Sequence, residues 1–243
     1  MHEITITDVT HHTEKLFSIT TTRPDSFKFV NGEFVMIGLP TDEGKPLMRA
    51  YSIVSTQWDE HLEFYSIKVP DGPLTSKLQH VEVGDKMVMG RKATGSLLVD
   101  AVYSKPNLVL LSTGTGIAPF VPIVQDPWSY DRFENVYLFH TVRHSKELAF
   151  EQKFKDLVDI YPNLKYISTV TSESRYQYRQ GRFWGHLEEF LPNGFQKDRD
   201  SVMVCGSPEL NAYCRDYFGV QGWVESSPTG IPGDFALERA FAD

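Results

Sequence analysis

At Asn107 the chain changes character. Leu108-Val109-Leu110-Leu111 is an unbroken apolar run that leads through Ser112-Thr113 into Gly114-Thr115-Gly116-Ile117-Ala118-Pro119. A strand that is apolar at every position must be covered on both faces, as in a parallel sheet flanked by helices. Glycines at the turn from such a strand into a helix let backbone approach an anion closely, and the free N–H groups of the helix start face it. Pro119 suits the first helical turn, where a missing N–H costs nothing. The spacing Gly-x-Gly-x-x-Pro lacks the usual third glycine, and alone it also fits an ordinary strand-to-helix turn. Downstream, strands are expected at 136–140, 166–171 and 201–205. A helix is expected from Ser145 to Ile160, with Leu148, Phe154, Leu157, Val158 and Ile160 as its apolar positions. This alternation predicts a parallel α/β domain.

The first hundred residues follow another rule. Short β-branched and aromatic runs at 4–7, 16–21, 34–37, 51–55, 62–69 and 86–89 are divided by turn signals such as Asn31-Gly32 and Gly84-Asp85. This spacing predicts an antiparallel barrel or sandwich. One short helix is expected from Leu74 to Gln79, with Thr75 as its cap. The expected division is therefore two domains, residues 1–101 and 102–243, with the boundary between Ala101 and Pro106.

Several classes are excluded. A net charge of −8 gives the whole chain no electrostatic footprint for nucleic acid. No stretch approaches the length of an apolar membrane span, and Met1-His2-Glu3-Ile4 does not open a signal peptide, so a cytoplasmic location is expected. The two cysteines, Cys205 and Cys214, are too few for an iron–sulfur cluster, and no metal site is expected. They read as partly buried free thiols.

Two further tracts carry chemistry. In Arg49-Ala50-Tyr51-Ser52 an arginine can neutralise a diphosphate and a tyrosine can pack on a flat ring. The serine hydroxyl can hydrogen-bond a ring nitrogen. Gly72-Pro73-Leu74-Thr75-Ser76 offers a turn, a helix start and two hydroxyls, which suits a phosphate. Each alone also reads as ordinary structure, an exposed Arg beside a half-buried Tyr or a simple capped helix. In this order, and followed by Gly114-Thr115-Gly116, they resemble the ferredoxin–NADP reductase family, in its compact bacterial type. The resemblance spans essentially the whole chain. It takes in Tyr65-Ser66-Ile67-Lys68-Val69, Arg91-Lys92-Ala93-Thr94-Gly95, His140-Thr141-Val142-Arg143, Gln180-Gly181-Arg182, Cys205-Gly206-Ser207-Pro208, Gly233-Asp234 and Glu238-Arg239-Ala240-Phe241.

The resemblance implies an N-terminal FAD-binding barrel and a C-terminal α/β domain for NADP(H). It implies that Arg49, Ala50, Tyr51 and Ser52 hold the flavin, with Tyr51 on the isoalloxazine and Ser52 near the hydride-accepting nitrogen. Tyr65, Ser66, Ile67, Lys68 and Val69, with Leu74, Thr75 and Ser76, would contact the ribityl and phosphate region. Thr115 would touch both cofactors. Gly114, Gly116 and Gly206 would serve the nucleotide, and Cys205 would lie beside the nicotinamide, although a cysteine ending a buried strand is also simply a small hydrophobe. Ala240 would stand where many relatives place an aromatic residue over the flavin. Phe241 would meet the FAD adenine or else be a core residue. Glu238 would lie near Ser52 and help proton exchange, or form a surface ion pair.

Arg143, Thr171 and Arg182 align with the positions that hold the NADP(H) 2′-phosphate in bacterial relatives. Those relatives usually carry Thr-Arg-Glu, whereas this chain has Thr171-Ser172-Glu173-Ser174-Arg175. Arg175 or Arg179 could substitute from the longer loop, or remain solvated charges with a relaxed coenzyme preference. The implied activity is hydride exchange between NADP(H) and FAD and single-electron exchange with ferredoxin or flavodoxin, by a monomer. Lys68, Lys77, Arg91 and Lys92 are candidate contacts for an acidic carrier. The alternatives are the reductase component of an oxygenase system, a free-flavin reductase using NADH or NADPH, and a flavin-holding subunit of a larger complex.

Overall fold

A computed structural model of the chain describes residues 1–41, 44–174, 177–227 and 230–240. Its first half contains β1 (His2–His11), β2 (Leu16–Thr22), β3 (Phe34–Leu39), β4 (Leu47–Ser52), β5 (His61–Ile67), the single helical turn α1 (Thr75–Leu78) and β6 (Lys86–Met89). The strands pair antiparallel in the order β4-β3-β6-β1-β2-β5. Just beyond β4 the chain reaches the other edge: Ile53 bridges Phe64, and the Val54 N–H donates to the Glu63 carbonyl at 2.8 Å. The sheet is thus a nearly closed barrel, one of the two expected architectures. Strand β1 serves two neighbours. Residues His2 to Thr5 pair with β6, and a bulge between Ile6 and Asp8 turns the remainder toward β2. The inward residues of each strand, among them Ile4, Phe17, Ile37, Phe64 and Met87, fill the interior. Burying each contributes about 1.5–3 kcal/mol.

The second half contains β7 (Asn107–Thr113), α2 (Phe120–Gln125), α3 (Pro127–Arg132), β8 (Asn135–Val142), α4 (Glu151–Ile160), β9 (Leu164–Val170), β10 (Arg179–Gln180), α5 (Leu187–Phe190), β11 (Asp200–Gly206), α6 (Pro208–Val220) and β12 (Phe235–Arg239). All its pairs are parallel, in the order β10-β9-β8-β7-β11-β12. From β7 the chain builds outward through β8, β9 and β10, then crosses back to lay β11 on the other side. The point of reversal lies between β7 and β11, where open α/β sheets form a crevice at the carboxyl ends of their strands.

Local boundaries depart from the sequence reading in four places. Strand β4 occupies 47–52 rather than 51–55, because its register with β3 runs from Leu39↔Leu47 to Phe34↔Ser52. Thr75 does not cap α1; its hydroxyl donates to the Val69 carbonyl (3.3 Å), and Leu74 stands at the helix start. The helix expected over 145–160 is divided. His144 and Glu147 cap a 3-10 turn at Ser145–Glu147, Phe150 adopts φ 65°, and α4 begins at Glu151. Residues Gly114–Ile117 likewise form a 3-10 turn, so Pro119 immediately precedes α2.

One core cluster joins the halves: Leu16, Val54, Tyr65 and Leu97 pack with Leu110, Ile117 and Phe120. The buried Asn31 amide donates to Asp126 across the same junction at 2.9 Å. Among the described residues no helix is long and apolar enough to cross a membrane.

Candidate active site

A cavity of about 230 Å³ opens where the barrel faces the carboxyl ends of β7 and β11. The barrel contributes Phe34, Arg49 to Ser52, Tyr65 and Gly72 to Thr75. The second half contributes Thr115, Ala118, Cys205 and the returning C-terminal strand at Glu238, Arg239 and Ala240. The three sequence tracts that carry chemistry are thus walls of one chamber, and the end of the chain closes it.

Tyr51 is buried, and its hydroxyl lies 3.2 Å from that of Ser66, which sits beneath it. Burial raises the Tyr51 phenol above its ordinary range, with the Ser66 contact opposing, so the ring presents a neutral face. Tyr65 is edge-on to both His12 (5.5 Å) and Phe150 (5.2 Å), and burial raises its phenol as well. The half-buried Arg49 guanidinium donates to the Met48 carbonyl at 3.0 Å and makes no salt bridge among the described residues. Its charge is therefore available to an anion.

Thr115 bears a buried hydroxyl with no hydrogen-bond partner. Such a group costs about 1–3 kcal/mol unless a ligand satisfies it. Beside it, a Cβ built on Gly116 would stand 2.1 Å from the Cys205 carbonyl oxygen, so only glycine lets the β7 turn lie against β11. Gly206 meets the Thr113 hydroxyl just as closely, and the Ser207 N–H donates to that hydroxyl at 3.0 Å. This clasp holds the crevice at fixed width.

Cys205 and Glu238 are register partners on β11 and β12. Burial, then the charge of Glu238, hold the thiol well above its ordinary pKa, so it is not a thiolate nucleophile. Glu238 is raised by burial, while the N–H and hydroxyl of Ser96 hydrogen-bond the carboxylate and limit the rise. Behind the loop, His140 is wholly buried, and desolvation lowers its pKa to about 4.

Ser66, Ile67, Lys68, Val69, Ser76, Gly114, Gly116 and Gly206 do not line the cavity; Ser66 and Ile67 end β5, Lys68 and Val69 follow it, Ser76 lies in α1, and the glycines lie in the turn after β7 and at the end of β11. Arg143, Thr171 and Arg182 also lie outside it. Arg143 and Thr171 follow Val142 and Val170, and Arg182 stands two residues beyond Gln180; Val142, Val170 and Gln180 are successive register partners across β8, β9 and β10, so all three stand along one carboxyl edge of the sheet. Arg143, Thr171 and Arg182 are exposed. Arg179 is bidentate to Glu189 and lies over the Phe190 ring at 4.9 Å, which commits its guanidinium elsewhere. Arg175 and Phe241 fall outside the described residues. Five lining residues were not named as site residues from sequence: Phe34, Gly72, Pro73, Ala118 and Arg239. The register opposite Ser52 reveals Phe34, and the others lie within motifs already marked.

The barrel and the parallel domain share this chamber. The oxidoreductase FAD-binding domain family matches residues 3–94, and the oxidoreductase NAD-binding domain family matches 110–216. The ferredoxin–NADP reductase of Azotobacter vinelandii is 45% identical over 257 residues, covering 98% of this chain and 96% of the relative. The flavodoxin/ferredoxin–NADP reductase of Rhodobacter capsulatus is 41% identical, covering 98% and 92%. In structure, the chain matches a ferredoxin NADP+ reductase from Neisseria gonorrhoeae with bound FAD and NADP at a TM-score of 0.90. That match has 29% identity and covers 99% of this chain and 98% of the other. The chain belongs to the ferredoxin–NADP reductase family.

Proposed function

We propose that this protein is an FAD-dependent reductase that exchanges hydride between NADP(H) and FAD and single electrons between FAD and a ferredoxin or flavodoxin. The observation that carries it is the single chamber shared by Arg49–Ser52, Gly72–Thr75, Thr115, Cys205 and Glu238–Ala240. These residues fit a flavin dinucleotide. Arg49 offers an uncommitted positive charge for the diphosphate, Tyr51 a neutral aromatic face, and Thr115 a hydroxyl that lacks a partner. Bound FAD would supply the chemistry that converts a two-electron hydride into single electrons.

The chain's own contribution is positioning. Ser52 would hydrogen-bond the flavin ring, and Tyr65 to Val69 with Leu74 to Ser76 would hold the ribityl and phosphate portion. Gly114 to Gly116, Cys205 and Gly206 would receive the nicotinamide dinucleotide, and Arg143, Thr171 and Arg182 its 2′-phosphate. Ala240, small where it lines the cavity, leaves room for a stacked ring. Glu238 would hold a proton beside the site. The division at residues 101–102 separates the flavin portion from the nucleotide portion. The protein would act in the cytoplasm on a separate carrier.

Anaerobic titration tests this directly. The purified protein is expected to bind FAD stoichiometrically, and its visible absorption should bleach at lower NADPH than NADH. A protein that binds no flavin after FAD is added refutes the proposal. Carrier docking carries a second expectation. Lys77, Arg91 and Lys92 are exposed and Lys68 half-buried, while the chain as a whole is acidic. Steady-state cytochrome reduction through ferredoxin should fall as salt rises from low to about 0.5 M, because exposed pairs are screened within about 10 Å at 0.1 M. A rate indifferent to salt argues against electrostatic docking.

A further inference from the structure

The tract His140-Thr141-Val142-Arg143 enters the proposed function only through Arg143. His140, at its head, lies on β8 and does not line the cavity. Its ring is fully buried, with Nε2 3.2 Å from the Gly114 carbonyl oxygen and Nδ1 3.5 Å from the Tyr166 hydroxyl on β9. A carbonyl only accepts, so Nε2 carries the proton and donates to Gly114. Nδ1 is then the acceptor for Tyr166.

This hydrogen bond falls on the first residue of the 3-10 turn Gly114–Ile117. Gly114 has φ +55°, and no heavy atom lies within 4 Å of a Cβ built on it. Neighbouring bulk therefore does not impose its left-handed turn, and the His140 ring is the side chain that holds its carbonyl. The peptide that follows is planar and trans, so the Gly114 C=O and the Thr115 N–H point in opposite directions. With the carbonyl drawn back to a buried ring, the Thr115 N–H is turned away from the interior. It belongs to Thr115, which lines the cavity and whose buried hydroxyl has no partner.

We propose that His140 is a positioning residue for the dinucleotide pyrophosphate: by holding the Gly114 carbonyl it aims the Thr115 N–H at the anion. The inference rests on the NADP(H) reading above. It specifies a neutral ring in a single tautomer, and a role confined to the phosphate bridge rather than to the adenosine end of the ligand.

The test uses FAD-loaded protein and two ligands, NADP+ and adenosine 2′-monophosphate, which lacks the pyrophosphate. Binding is measured by calorimetry rather than by turnover. His140→Phe fills the space without a donor and is expected to weaken NADP+ about tenfold, the value of one oriented hydrogen bond. Adenosine 2′-monophosphate should bind almost unchanged. His140→Gln retains a donor and should recover most of the loss. Equal NADP+ affinity in wild type and His140→Phe overturns the inference, as does equal weakening of both ligands. A wild-type protein that binds neither ligand refutes the proposed function instead. Nitrogen-15 shifts of the wild-type ring give an independent check: at neutral pH they should report Nε2–H alone. An Nδ1–H tautomer or an imidazolium overturns the inference even if the Phe variant does not fold.

Discussion

Replacing Gly116 by alanine is expected to lower the melting temperature by about 6–12 °C and to abolish NADPH-driven bleaching of the flavin. Alanine is ordinarily mild, and Gly116 is not in the left-handed region, so backbone strain is not the cause. The added methyl would meet the Cys205 carbonyl oxygen at 2.1 Å, its carbon at 2.5 Å and the Gly206 Cα at 2.8 Å. These are backbone atoms of β11. Pairing of Ser112 with Cys205 and the Thr113–Ser207 hydrogen bond lock that strand to β7, so it cannot retreat. Overpacking of this kind costs about 3 kcal/mol, at about 2–4 °C per kcal/mol for a chain of this size. Relief by parting β7 from β11 would widen the crevice proposed to receive the nucleotide. Gly114→Ala is the control: its methyl meets nothing, and only the positive φ opposes it, at about 1–2 kcal/mol. Differential scanning calorimetry of the two variants decides the matter. A Gly116→Ala protein as stable as wild type means that the turn does not rest on β11.

The elements legible in the sequence were those whose pattern admits one solution. Leu108 to Leu111 must be covered on both faces, and β7 lies at the centre of its sheet with those side chains buried. Alternation with turn signals likewise announced the barrel strands, although not whether they closed, because closure depends on Ile53 reaching Phe64 across the sheet. Strand β12 carries no comparable local signal. Phe235 to Arg239 become a strand only because β11 offers a parallel edge, and that contact is remote in sequence. The break before α4 was equally hidden, since φ 65° at Phe150 runs against the preference of a bulky residue. Within the cavity, motif spacing marked Arg49–Ser52, Gly72–Thr75 and Thr115. Phe34 required the register of β3 on β4. Ser96, which binds Glu238, required the fold that brings the barrel's last segment to the C-terminal strand. Arg179 shows the converse: it reads from sequence as an uncommitted cation near a phosphate site, and the structure gives it to Glu189.

Charge reversal at Arg182 is expected to raise the apparent KM for NADPH about 100-fold and that for NADH less than about threefold. The two coenzymes differ only in the 2′-phosphate, so a residue that binds this group affects one and spares the other. Arg182 is exposed on the edge that also carries Arg143 and Thr171, and makes no salt bridge among the described residues. It lies within electrostatic reach of Glu209. That carboxylate is held below its ordinary range chiefly by the Ser207 hydroxyl, with a smaller contribution from Arg182. Arg182→Glu would therefore place a second negative charge beside Glu209 and the phosphate, combining a lost charge-assisted bond with repulsion. Arg182→Ala separates the two effects and should raise the NADPH KM about tenfold alone. Because the site is exposed, the difference between the variants should shrink in high salt, while the loss seen with alanine should persist more fully. Ser172 offers no cation beside Thr171, so under the proposed function the discrimination would fall to Arg143 and Arg182. The decisive comparison is kcat/KM for both coenzymes in both variants. If NADPH and NADH lose efficiency equally, Arg182 serves the shared part of the ligand or the fold, and the selectivity of this protein lies elsewhere on that edge.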